Sequence, residues 1–236
     1  MAFAHSQTRA QRTAGSGTGQ SLAYVSDVTI NNMLIVLTHW ADTGDASVTI
    51  TDTRSSVWRE LGSQPHPNVA GSVSAVHYAI VPSSGPCTIT QTLGTARVAR
   101  TIIIQEFSGG LTNLDKLLGK WTSRAANEAN STIGPLEVIT AEELAWSGTG
   151  GFNGGDLITP GGSWVERIEE TSENTQTQDI ISPPLGNLSA TRTHTTDDFA
   201  GLFALFRSQE PAVPPAAGVA VGSSRAIFRA PARTWG

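Results

Sequence analysis

The sequence predicts an all-β fold, an antiparallel β-sandwich of about a dozen short strands. Three observations lead there. Charged residues are only 15% of the 236 residues, well below the usual quarter, and Thr, Val and Ile are abundant in their place. Apolar residues recur with period two in many short segments. Turn signals separate these segments at the spacing of sandwiches, and successive strands have no helix between them.

The elements follow in order. Residues 1–20 are polar and rich in Gly, Ser and Thr, and "SGTGQ" reads as a flexible joint, so an N-terminal arm is expected. "SLAYVSDVTI" leads into "NNMLIVLTHW", whose unbroken apolar run suits a buried central strand. "ADTGD" turns the chain into "ASVTITDT", where Val48 and Ile50 alternate with threonines. "RSSVWREL" continues, and the two prolines of "GSQPHPNV" mark a loop. "GSVSAVHYAIV", "CTITQTL" and "VARTIIIQEF" are three further strands.

The middle differs. "GGLTNLDKLLGKWTS" fits one short helix, with Thr112 or Asn113 as N-cap, Leu114, Leu117 and Leu118 on one face, and Gly119 near its end. That helix is expected to lie as a lid on the end of the sandwich. Strands resume with "NSTIGPLEVI" and "ELAWSGTG". After a Gly-rich loop, "GSWVERIEET", "NTQTQDIIS", "NLSATRTH" and "FAGLFALFRS" add four more. The expected body is therefore a jelly-roll-like sandwich over residues 21–208. Residues 209–236 change composition. "QEPAVPPAAGVAVG" is an extended spacer, and "SSRAIFRAPARTWG" is a basic, aromatic tail that Pro231 keeps from being one helix.

Charge is unevenly placed. The net charge is −5, yet Arg9 and Arg12 make residues 1–20 positive, and Arg225, Arg229 and Arg233 make residues 209–236 positive. An acidic body between basic ends predicts that the ends dock on acidic protein surfaces, including those of sister copies. Phe228 and Trp235 would add aromatic burial to that docking. Nucleic acid is not expected as a partner, because five arginines without a lysine cluster make a poor phosphate track. No apolar run approaches a membrane span. The N-terminus has no apolar core of a signal peptide, so synthesis in a cytoplasm is expected.

The order of strands resembles a widespread, largely uncharacterised jelly-roll-like sandwich domain of bacterial and phage structural or surface proteins. The resemblance rests on "NNMLIVLTHW", then "VTITDTRSSVWREL" as a V-T-D-x-x-G-N-x-W/Y hairpin, then "AVHYAIVPSSGPCTITQTL". It continues through "IIIQEFSGGLTNLDK", "AEELAW" and the closing "FAGLFALFRS", covering about residues 20–208. Ser55 and Ser56 stand where the family often has Gly-Asn, which implies a different turn type. The resemblance implies a sandwich in a virion or surface context. Taken with the basic ends, the missing signal-peptide core and the missing catalytic set, it leads to the expectation of a non-enzymatic phage virion protein, a capsid decoration or cement protein or a tail component, oligomeric and contacting capsid or tail proteins. It supplies no catalytic residues.

The residues give little chemistry either. His5, His39, His66, His77 and His194 show no metal-ligand spacing. Asp42 and Asp45 flank a turn with a calcium-like look, but without the length of an EF-hand loop. Glu106 is the one acid inside the strands expected to be central, and a glycosidase needs two. Cys87 is alone, which rules out an intrachain disulfide. No enzyme activity and no cofactor are expected. Of six tryptophans, Trp40, Trp58 and Trp146 are expected in the core or its rim. Trp121 and Trp164 are the candidates for an exposed platform that stacks on a host-surface glycan, the alternative function.

Overall fold

The structure, a computed structural model, describes residues 2–41, 47–69, 71–140, 143–151, 158–172 and 174–208; the side chains of residues 41 and 195–197 are not among those described. The expected turn at Asp42–Asp45, the Gly-rich loop after Gly151 and the tail from residue 209 onward lie outside these residues.

The described residues form an antiparallel β-sandwich of twelve strands and one helical turn. The first sheet holds β1 (Ala4–Ala23), β2 (Met33–Ala41), β3 (Val48–Asp52), β4 (Arg59–Pro65), β5 (Val73–Ile80) and β6 (Thr88–Ser108). Its order is β1-β6-β2-β5-β4, with β3 also on β6. After α1 (Leu114–Leu117), the second sheet holds β7 (Leu118–Val138), β8 (Glu143–Gly151), β9 (Thr159–Pro160), β10 (Val165–Glu170), β11 (Thr175–Ile181) and β12 (Gly186–Arg207). Its order is β10-β11-β8-β12-β7, with β9 on β12.

The two sheets are the two halves of the chain, and the halves have the same topology. Adding six to each strand number of the first sheet reproduces every pairing of the second. The registers agree as well. Met33 pairs with Ile80 and Phe107, and Leu144 pairs with Ile181 and Phe206. A bulge falls after Glu60 in β4 and after Glu166 in β10, each two residues beyond a tryptophan, Trp58 or Trp164. The turn after β5 reads "IVPSSG" and that after β11 reads "ISPPLG". Both end on a glycine with positive φ, Gly85 at 135° and Gly186 at 107°, a conformation that costs glycine least. The chain is an internal duplication at the level of fold.

Burial follows the strand period. Met33, Ile35, Leu37, Val76, Tyr78, Ile103 and Phe107 face Leu144, Trp146, Leu202, Ala204 and Phe206 across the sandwich. Full burial of each larger side chain contributes about 1.5–3 kcal/mol. Trp146 also donates its indole N–H to Gln105 Oε1 at 2.6 Å, which ties the sheets together. Each sheet has a second, outer cluster. Leu34, Val36, Ile102 and Ile104 pack there with Leu22, Ile50 and Ile89 in the first half. Ala145, Phe203 and Leu205 pack with Ile133, Val138 and Trp164 in the second. Two-sided burial explains the unbroken apolar run of β2.

Three expectations need correction. The N-terminal arm is strand β1, paired with β6 of its own chain from Ala4↔Ser108 to Ala23↔Thr88. Its polar residues suit an edge strand with one face on the core. "SGTGQ" is an irregularity inside that strand rather than a joint. Buried Arg100 clamps it, donating from Nη1 to the carbonyls of Gly15 at 3.0 Å and Gly17 at 2.8 Å. The helix is shorter than expected. Asn113 caps it, accepting from Asp115 N at 3.0 Å, but Leu118 and Gly119 already belong to β7. Leu117 is buried in the inter-sheet core.

Candidate functional site

The sandwich has two rims. On one side β4 lies beside β7, and on the other β1 lies beside β10. The surface residues singled out from the sequence, Trp164 excepted, fall on these rims or outside the described residues.

Trp121 is on the β4/β7 rim. It sits on β7 opposite Ala204 and is 42% exposed. The six-membered ring of its indole lies against Gly62 of β4, so close that a Cβ at Gly62 would come within 2.6 Å of it. Glycine is therefore required for this approach. Ion pairs surround the rim: Arg59 with Asp115, Lys120 with Glu137 at 3.3 Å, and Arg124 with Glu128 at 2.7 Å. All are exposed to water and add little stability.

Trp164 is not a platform, contrary to expectation. It is 7% exposed, stands edge-to-face on Phe203 with centroids 5.5 Å apart, and donates its N–H to Ser189 O at 3.0 Å. An apolar body with one hydrogen-bonded tip is the usual way tryptophan is buried. Its counterpart Trp58 packs on the first outer cluster and donates to Asp52. The W-x-E pattern shared by residues 58–60 and 164–166 was the sequence signal for this burial.

Arg9 and Arg12 are on the β1/β10 rim, both half-buried. They are three apart on a strand and so point to opposite faces. Ala10 packs in the inter-sheet core, which places Arg12 on the inner side and Arg9 on the outer. Arg9 Nη1 donates to Ala23 O at 2.8 Å. The two do not form one basic patch. Beside them β10 brings Glu166, Glu169 and Glu170. Burial, opposed by a hydrogen bond from Ile158 N and reinforced by Glu166 and Glu170, raises the Glu169 carboxyl. Arg225, Phe228, Arg229, Arg233 and Trp235 lie outside the described residues.

The acids of the first half serve the fold. Glu106 accepts from Thr29 N, Asn32 Nδ2 and Gln7 Nε2 at 2.6–2.8 Å. Asp52 accepts from Arg54 N, Ser56 N and Trp58 Nε1. A carboxylate with its lone pairs filled in this way is poorly placed to move a substrate proton. Ser74, His39 and His66 come together between the sheets. Ser74 Oγ is 3.4 Å from His39 Nδ1, and the two imidazoles lie 4.9 Å apart. Ser74 is wholly excluded from solvent, so it offers no nucleophile to a dissolved substrate. Burial holds both imidazoles below their ordinary range, His66 at about 4. Burial, reinforced by Asp52, pushes the Cys87 thiol up to about 12, which makes it unreactive. Among the described residues no three His, Cys, Asp or Glu side chains gather to hold a metal ion. No helix among them is long and apolar enough to cross a membrane.

No family model, curated protein or solved structure matches this chain.

Proposed function

We propose that the chain is a non-enzymatic structural protein of a phage particle, a capsid decoration or cement subunit or a tail component. It assembles with sister copies and with capsid or tail proteins. The carrying observation is the pair of long edge strands, β1 and β7, which lie beside β10 and β4 without a ladder of hydrogen bonds between them. β1 has 20 residues and β7 has 21, and each pairs along one side only among the described residues. Such an edge is a row of unpaired backbone donors and acceptors ready for another chain. The strand order that resembles phage and bacterial sandwich domains supports the same reading, as does the commitment of Glu106 and Asp52 to structural bonds. In this reading the basic, aromatic end beyond residue 209 reaches a neighbouring subunit. Arg225, Arg229 and Arg233 pair with acidic groups while Phe228 and Trp235 fill pockets. Many copies on a symmetric particle multiply weak contacts. The protein is made in the host cytoplasm and resides in the virion.

The test is a truncation. A chain lacking residues 209–236 should fold but incorporate poorly into particles, or leave them on mild heating. Incorporation and retention equal to the full chain would remove the tail from the proposal. A second reading, host-surface glycan binding, rests on the exposed face of Trp121. Binding on an array of bacterial surface glycans that disappears in Trp121→Ala would support it. No binding by the wild type would end it.

A further inference from the structure

The two halves differ at one equivalent place, and the difference makes a cavity. In the first half Gln20 of β1 pairs with Gln91 of β6, and their side chains form a buried hydrogen bond at 2.8 Å. In the second half the same register places Ser131 of β7 opposite Arg192 of β12. The third strand agrees, since Ile50 of β3 faces Gln91 and Pro160 of β9 faces Arg192. A glutamine has been shortened to serine, and its partner has gained a charge. Nearby, Trp40 of β2 faces Arg100, whereas its counterpart Gly151 of β8 faces Phe199. Loss of the indole and of the glutamine leaves space.

That space is lined by Ser131, Thr149, Gly151, Arg192, His194 and Phe199, with Ile158 and Asn174 completing the wall. Its volume is about 10 Å³, room for a single water-sized occupant. Arg192 is 2% exposed. Its Nε donates to Gln176 Oε1 at 3.1 Å and its Nη2 to Ser147 Oγ at 3.0 Å, both neutral acceptors. Glu166 reaches this network only through Gln176 Nε2, at 3.1 Å. Nη1 of Arg192, Oγ of Ser131 and Oγ1 of Thr149 are shut off from solvent with no hydrogen-bond partner among the described residues.

We propose that this cavity is a site for one monatomic anion of halide size, held by Arg192 Nη1 and the hydroxyls of Ser131 and Thr149. A buried guanidinium normally has a carboxylate beside it. Here none of the described wall residues is acidic. The missing negative charge is supplied from solution. A water molecule would satisfy the hydrogen bonds but not the charge, and burial alone already pulls the Arg192 guanidinium down to about 9. Phosphate, sulfate and carboxylate-bearing solutes are too large for the space. At the equivalent position of the first half the Gln20–Gln91 pair carries no charge to balance.

The test uses the whole chain at constant ionic strength, exchanging sodium gluconate for sodium chloride or bromide. The melting temperature should rise with halide and saturate. Bromide-soaked crystals should give an anomalous peak within about 3.5 Å of Arg192 Nη1. Thr149→Val should weaken the apparent halide affinity by about tenfold, the loss of one hydrogen bond to a charged group. The double variant Ser131→Gln with Arg192→Gln copies the neutral pair of the first half. It should fold and lose the halide response, while Arg9→Gln should keep it. A melting temperature indifferent to halide, or a bromide map without a peak at Arg192, overturns the proposal. The map decides on the wild type alone should the double variant fail to fold.

Discussion

The indole N–H of Trp58 donates to Asp52 Oδ2 at 2.7 Å, and the same carboxylate accepts the backbone N–H of Arg54 at 2.6 Å and of Ser56 at 3.3 Å. One acid thus closes the turn after β3 and fixes the ring that covers the first outer cluster. Asp52→Ala should lower stability by about 2–4 kcal/mol, because several charge-assisted bonds are lost together. Asp52→Asn should cost less. Ser55, inside this turn, has φ of 60°, so Ser55→Gly should be neutral or stabilise by up to about 1 kcal/mol. Urea unfolding of the three variants checks the order. An Asp52→Ala midpoint equal to wild type would show that the turn stands without the acid.

The two rim and core tryptophans should separate cleanly. Trp164→Ala empties a buried site against Phe203 and should cost about 3–5 kcal/mol. Trp121→Ala removes a ring that is 42% exposed and should cost about 1 kcal/mol, since much of its surface already meets water. Thermal melts compare them directly. A larger loss at Trp121 would mean that the rim, not the outer cluster, holds the second sheet.

Acid should destabilise the fold through its buried histidines. Burial lowers His66 and His77 from 6.5 to about 4. The unfolded chain therefore binds protons that the native one refuses between those values. Stability is complete above about pH 6.5 and falls as pH drops toward 4, on the order of 3 kcal/mol per histidine at the lower end. His77→Leu should flatten the slope of the urea midpoint against pH over that window. An unchanged slope would mean that the histidine titrates alike in both states.

Arg100 should be worth more than its count of contacts. Its guanidinium binds the carbonyls of Gly15, Gly17 and Arg97 where β1 departs from regular register. Arg100→Met keeps the stem but leaves those carbonyls unpaid by any cation, a loss of about 2–4 kcal/mol. Hydrogen exchange should quicken first across residues 14–19. Acceleration spread evenly over the sheet would contradict a local clamp.

What the sequence made legible follows from what physics is local. Alternation marked β3 and β5, unbroken apolar runs marked β2 and the end of β6, and Asn113 announced its helical turn. Residues 125–130, "AANEAN", gave no strand signal because the edge strand β7 takes its order from its partner β12, not from its own pattern. The same reason hid β1 behind a polar composition. Trp164 looked exposed because it follows Gly161 and Gly162, yet the turn folds it inward onto Phe203. The duplication left few identities between the halves, W-x-E, I-x-P-x-x-G and the pair Phe107 and Phe206 among them, too scattered to notice before the registers were aligned. Arg192 read as one more strand residue, since nothing in a chain says that a guanidinium will be buried on the neutral acceptors Gln176 and Ser147.

The topology also sets an order in time. In each half the first strand pairs with the last, β1 with β6 and β7 with β12. On the ribosome neither sheet closes until its final strand has emerged, and contacts so distant along the chain form slowly. The first sheet is complete at Ser108, while the second is still unmade. Until β8 and β12 arrive, Met33, Ile35, Leu37 and Phe107 face water as a bare apolar wall. The nascent first half therefore passes through an adhesive state that the finished protein never shows.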